Sequence, residues 1–379
     1  MKCNGLDPIT GNRLEISFSE VIDGVDHLIA PDADDTYLAP GFIDLQVNGF
    51  FGVDYNAPDA PQEEIARSIR VLFATGVTRF FPTVITGSPE NMLGALRNLA
   101  DARERLADGA AMEAFHVEGP FISPDDGPRG AHPREWVRRP DPDEFQRMQE
   151  AARGLIRLIT VSPEWPEAPR FIETMVRQGV VVAIGHTKAT PEQIASAVSA
   201  GATLSTHLGN GAHSILSRHP NYIWEQLADD RLAASFIVDG IHLGRAFLTA
   251  ALRAKGAERS ILVTDAVAPA GCAPGPYMLG GVAVTLHSDG SVRLRDGDRL
   301  AGSTLMMDRA VGNVMQLGGM SLREAITMAT RNPARVGRVP SRVRGLATGD
   351  RADLVRFRLE DGVIRVIETW MGGKQVFSA

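Results

Sequence analysis

Cysteine is scarce in this chain: of 379 residues only Cys3 and Cys272 carry a thiol, and neither belongs to a Cys-x-x-Cys pair. That scarcity excludes a disulfide framework and a thiolate zinc site, and it suits a reducing cytoplasm. An excess of positive charge is missing too, with 39 Lys plus Arg against 46 Asp plus Glu and a formal net charge of −7. No global field attracts nucleic acid or an anionic membrane, so any phosphate must be held by local groups. No apolar run approaches the ~18 residues of a membrane span. The opening MKCNGLDPITGNRLEISFSE has no apolar stretch for a signal-peptide core, and Cys3 lacks the preceding apolar run of a lipid-attachment signal. Low-complexity tracts and solenoid repeats are absent as well. At 44% hydrophobic and 22% charged the composition is that of a folded globule, not a disordered chain.

What is present is a repeating alternation of short apolar runs and helical segments. The runs are GFIDLQVN (41–48), TRFFPTVI (78–85), EAFHVEGPF (113–121), LIRLITVSPE (155–164), VVVAIGHT (180–187), TLSTHLGN (203–210), AASFIVDGI (233–241) and SILVTDAV (260–267). Between them, segments such as PQEEIARSIRVLFATG open on Pro and acids and stop at Gly, which are helix start and stop signals. Repeated βα units imply a parallel sheet, and eight of them close a barrel. Two further helices are expected near 304–317 and 321–331. Both chain ends alternate apolar and polar residues, through RLEISF near the start and DLVRFRL and GVIRVIETW near the finish. The expected architecture is therefore a (β/α)8 TIM barrel over residues 40–339 with a small β-sandwich domain built from residues 1–39 and 340–379.

In such a barrel the chemistry sits where the strands end. The polar residues there are Gln46 and Asn48, Thr83, Glu118, Ser162 with Glu164, His186, His207, Asp239 with His242, and Asp265. Glu118, His186 and His207 supply two imidazoles and a carboxylate, a three-ligand set that leaves a position open for a catalytic zinc-bound water. Each histidine alone reads as a core residue capped by backbone. Two on consecutive strand ends with an acid two strands earlier favour the metal. Asp265, in VTDA, is placed to orient and deprotonate the water that such a metal activates, whereas by itself it reads as a turn-forming Asp.

The ordered segments APGFIDLQVNGFFGVDYN, HVEGPFISP, GAHP, GHTKAT, GATLSTHLGN, DGIHL, LVTDAVAPAG and AGSTL resemble the amidohydrolase superfamily of metal-dependent hydrolases, and within it the N-acetylglucosamine-6-phosphate deacetylase family, over nearly the whole chain. Many amidohydrolases carry a His-x-His pair at the first strand end that binds a second metal; here Gln46 and Asn48 stand there instead. The resemblance accordingly implies one divalent ion per subunit, held by Glu118, His186 and His207, with zinc expected and ferrous iron suited to the same ligands. It implies Asp265 as general base, and His132 in GAHP as a contact near the acetamido carbonyl. His242, Asn210 and the amide of Gly211 are implied as sugar and phosphate contacts. Arg218, eleven residues after His207, matches an arginine that reaches the phosphate in a neighbouring subunit, so a homodimer is implied. The family usually reads THLYNAM where this chain reads THLGNGA, and HSILSRHPNYIW also departs from the common form.

The reaction expected is hydrolysis of the acetamide of N-acetyl-D-glucosamine 6-phosphate to acetate and D-glucosamine 6-phosphate. Alternatives are deacylation of N-acetylgalactosamine 6-phosphate or of an unphosphorylated N-acetylhexosamine, and a non-catalytic barrel that binds a sugar phosphate. Neither nucleic acid nor membrane is expected as a partner.

Overall fold

The structure, a computed structural model, describes residues 1–28 and 35–379. Its centre is a ring of eight parallel strands: β1 (Phe42–Val47), β2 (Val77–Ile85), β3 (Phe115–Glu118), β4 (Ile156–Val161), β5 (Val181–Ile184), β6 (Leu204–Ser205), β7 (Ala233–Phe236) and β8 (Ser260–Leu262). They neighbour one another in chain order. A parallel bridge from Val47 to Ala266, with the Asp265 amide donating to the Gln46 carbonyl at 3.0 Å, joins the first strand to the last and closes the ring. Each strand falls on one of the apolar runs seen in the sequence, with β2 starting one residue before its run. They read as continuous apolar runs because both faces are covered, and every residue of β1 is buried.

A helix follows each strand, beginning with Gln62–Phe73 and ending with Met307–Gly318. Local chemistry sets their limits. Thr190 and Gln193 form a capping box that opens Pro191–Ser199, and Ser321 with Glu324 does the same for Leu322–Ala329. Gly256, at φ 73°, stops Arg245–Lys255.

The chain ends form one seven-stranded sheet. Arg13–Phe18 and Val363–Met371 lie four strands apart in it, which in a flat sheet is roughly 19 Å. Yet the Phe18 and Trp370 rings meet edge-on with centroids 6.0 Å apart, so the sheet curls over on itself around Ile16, Leu38 and Leu354. A buried ion cluster ties it to the barrel. Asp353 accepts from Arg79 on β2 at 2.8 and 3.0 Å and from Arg342 at 2.7 Å, while the Gly372 amide donates to it at 2.7 Å.

After β8 the chain forms a three-stranded antiparallel sheet, Gly275–Leu279, Val282–Leu286 and Val292–Leu294, which is not among the elements expected from the sequence. It lies across the C-terminal end of the barrel. Its Gly280 approaches Ile85, Gly290 approaches Ile241, and Arg299 reaches Asp126 at 3.3 Å, so it roofs the loops that follow β2, β7 and β3. Among the described residues no helix is long and apolar enough to cross a membrane, and both cysteines are free.

Candidate active site and metal centre

Beneath that roof lies a cavity of about 860 Å³, and Glu118, His186, His207 and Asp265 all line it. Glu118 ends β3; the others stand two or three residues beyond β5, β6 and β8. His186, His207 and Asp265 adopt left-handed backbone, at φ 49°, 29° and 51°. Asp and His tolerate that region better than most residues, but each such site still costs about 1–3 kcal/mol and persists only where neighbours enforce it. The conformation turns each side chain off its strand and into the cavity.

The ligating atoms of Glu118, His186 and His207 all lie within 4.8 Å of one another. Glu118 Oε1 is 2.8 Å from His207 Nε2 and 3.3 Å from His186 Nε2, and the two Nε2 atoms are 3.1 Å apart. His186 Nδ1 lies 2.7 Å from the Pro128 carbonyl, which only an N–H can satisfy, so the proton sits on Nδ1 and the Nε2 lone pair faces the centre. A lone pair aimed at a second imidazole and a carboxylate, all buried, fits a divalent cation. Burial pushes the Glu118 carboxyl up, but the closeness of the His186 and His207 rings outweighs it and holds it well below its usual range. The ligand stays anionic.

Asp265 is held by amides. Asn48 Nδ2 donates to its Oδ1 at 2.6 Å and Gln46 Nε2 at 3.0 Å, while the same Gln46 amide donates to Glu118 at 2.9 Å. Of the two residues that stand in place of a His-x-His pair, Gln46 therefore bridges the acid to the ligand set, and Asn48 holds the acid alone. Burial pushes the Asp265 carboxyl up, and the charge of Glu118 adds to the shift. A carboxylate so raised is suited to taking and returning a proton.

His132 lies with its Nε2 3.9 Å from Glu118 and its ring edge-on to His186. Burial, then the nearby His186, lower its pKa to about 3, so it stays neutral. His132 Nδ1 and Asn48 Oδ1 are buried without a protein partner, and both residues line the cavity. Asn210, Gly211 and His242 line it as well. His242 Nδ1 stands 2.6 Å from Asp239, which fixes the ring. Gly211 packs against the His186 imidazole, where an added Cβ would come within 2.7 Å of Nδ1.

Arg218 is the exception among the expected site residues. It is exposed and lines a neighbouring groove with His219 and Trp224, outside the cavity that holds the metal ligands. Glu164 is set apart as well: it accepts from Ser123, Ser162 and the Lys188 amide, a loop-bracing role. At Gly209, where a side chain is lost relative to THLYNAM, Phe247 and Leu243 fill the space; a Cβ there would meet Phe247 at 2.6 Å.

Several residues went unrecognised in the sequence. Asp44, His116 and Thr160 lie inside the barrel below the site. His116 Nε2 stands 2.8 Å from Thr160 Oγ1, which is 2.7 Å from Thr206 Oγ1, and burial lowers the His116 pKa to about 4. A carboxylate in mid-strand, between Ile43 and Leu45, was the available signal for Asp44. Arg293 and Arg299 reach the cavity from the roof; the Gly-Gly and Asp-Gly turns in GPYMLGGVAVTLHSDGSVRL announce that hairpin.

Residues 37–376 match the amidohydrolase family. The chain is similar to a Mycobacterium smegmatis N-acetyl-D-glucosamine-6-phosphate deacetylase mutant solved in complex with N-acetyl-D-glucosamine-6-phosphate: 32% identical, TM-score 0.88, covering 99% of this chain and 98% of that one. It is 33% identical to the N-acetylgalactosamine-6-phosphate deacetylase of Escherichia coli O157:H7, over 93% of each chain. It is 36% identical to the N-acetylglucosamine-6-phosphate deacetylase of Caenorhabditis elegans, over 92% of this chain and 84% of that one.

Proposed function

This chain belongs to the amidohydrolase family, and from that premise we propose that it hydrolyses the acetamide of N-acetyl-D-glucosamine 6-phosphate, releasing acetate and D-glucosamine 6-phosphate. The observation that carries this reading is the meeting of Glu118, His186, His207 and Asp265 in one roofed cavity, in a chain alike from end to end to deacetylases of amino-sugar phosphates. It supports a catalyst over a barrel that only binds sugar phosphate.

Glu118, His186 and His207 would hold one divalent ion, zinc by the character of the donors, and that ion would polarise the acetamide carbonyl and acidify a water. Asp265 takes a proton as the water oxygen attacks the carbonyl carbon, and hands it to the nitrogen as the C–N bond breaks, so that acetate and a free amine leave. Gln46 and Asn48 hold the Asp265 oxygen in place through their N–H groups. Neutral His132 is at hand for the acetamide oxygen, and Asn210, Gly211 and His242 for the sugar and its phosphate.

The full-length relative that acts on the galactosamine phosphate favours a second reading, in which the epimer is the substrate. Acetate release from N-acetylglucosamine 6-phosphate, its galactosamine epimer and unphosphorylated N-acetylglucosamine, assayed in parallel, separates them. Highest kcat/KM on the first supports the proposal. Highest on either other sugar moves the specificity and keeps the mechanism, and no acetate from any of them overturns the reading.

The functional unit we propose is a cytoplasmic homodimer in which Arg218 reaches the neighbouring site. Its support is an apolar surface beside Arg218, where Ile215 is 88% and Trp224 49% exposed. In a dimer Arg218→Ala weakens phosphorylated substrates selectively. A monomer in sedimentation, or an equal loss on the unphosphorylated sugar, contradicts this arrangement.

A further inference from the structure

The Asp265 carboxylate bonds to Gln46 and Asn48 and not to its own turn, so the groups that enforce its φ of 51° lie around that turn. They form a cradle around the peptide unit before it. Thr264 Oγ1 donates to Asp44 Oδ2 at 2.5 Å, and the Thr264 amide donates to Asp44 Oδ1 at 3.3 Å. Asp44, wholly buried, also accepts from the Gln46 backbone N–H at 3.1 Å. From the opposite side Ser303 grips the same turn: its hydroxyl donates to the Thr264 carbonyl at 2.6 Å and its amide to the Asp265 carbonyl at 2.9 Å. The Asp265 amide donates to the Gln46 carbonyl, and the Ala266 amide to Thr264 Oγ1 at 3.2 Å.

We propose that Asp44, Thr264 and Ser303 are positioning residues for the general base, with the Asp44–Thr264 hydroxyl bond as the clasp that fixes Asp265 against Gln46 and Asn48. This rests on the reading of Asp265 as general base. Three features carry it. Asp44 sits two residues before Gln46 and Thr264 one before Asp265, so a single carboxylate sets the spacing of both partners. Its three hydrogen bonds come from neutral donors on β1 and on the turn after β8, the seam where the ring closes. The strained residue directly follows Thr264, which two of these bonds hold. An ångström of misplacement at a reacting group costs up to ~10²-fold in rate. The clasp acts on the proton-transfer step, not on substrate capture, so its loss falls on kcat.

Thr264→Val keeps the shape of the side chain and removes the hydroxyl. It is expected to lower kcat at least ~10-fold with KM within about twofold of wild type, while bound metal by elemental analysis is unchanged. Its crystal structure should show Asp265 out of the left-handed region. Thr264→Ser, which restores the hydroxyl, should recover most of kcat. Asp44→Asn exchanges an acceptor for a donor and should resemble Thr264→Val. A folded Thr264→Val with wild-type kcat, a loss confined to KM, or a loss that Thr264→Ser leaves uncorrected would overturn the proposal. If Asp265→Asn itself keeps full turnover, the general-base reading has failed instead, which separates the two.

Discussion

Left-handed backbone at His186, His207 and Asp265 places three charged or ligating side chains in one cavity, and each is held there by residues remote in sequence. Asp265 and Gln46 are 219 positions apart, Asp265 and Asn48 217. Asp265→Asn keeps the size of the side chain and removes its basicity, so turnover should fall at least ~10²-fold while metal content by elemental analysis stays at the wild-type level. Wild-type turnover would refute the base assignment. The residue types and their places at strand ends were legible in the sequence, because a barrel puts strand ends around one pocket. The tautomer of His186, fixed by the Pro128 carbonyl, and the amide bridge through Gln46 were not, since both depend on atoms that only the closed ring brings together.

At the level of elements, the loop after β6 acts as a clasp on the ligand set. Gly211 (φ 55°) lies so close to the His186 ring that an added Cβ, 2.7 Å from Nδ1, forces the imidazole or the loop to shift. Gly211→Ala should therefore loosen the metal by about 10–100-fold, the usual cost of disturbing the outer contacts of a ligating histidine, read as the chelator concentration that strips half of the ion. Unchanged retention would show that the loop gives way freely. The eight strands and most of their helices follow from apolar runs and from Pro, Gly and acidic signals at helix ends. The roof of Gly275–Leu279, Val282–Leu286 and Val292–Leu294 escaped notice because its strands are short and half-exposed, with weak alternation. Phe247, which fills the space beside Gly209, was hidden for another reason: its helix gives no sign of the loop it packs on.

For the whole molecule, the buried cluster of Asp353, Arg79 and Arg342 decides how the curled sheet stays on the barrel. Burial alone would raise the Asp353 carboxyl, but the two guanidinium groups and the Gly372 amide pull it down to about 2. A carboxylate lowered on folding stabilises fully above its unfolded value near ~3.9 and ceases to do so as the pH falls through about 2, a contribution of about 2 kcal/mol. Urea unfolding should show Asp353→Asn far less stable than wild type at pH 6, with the gap narrowing between pH 4 and pH 2. A gap independent of pH would contradict this. The tie was not legible in the sequence, where Arg79 and Asp353 are 274 positions apart.

Whether this family member is a metal-dependent amide hydrolase working through Glu118, His186, His207 and Asp265 is decided by acetate release from N-acetylglucosamine 6-phosphate before and after the metal is stripped and restored. Release should vanish with chelation and return with added zinc. Release at the same rate from fully stripped protein would contradict it.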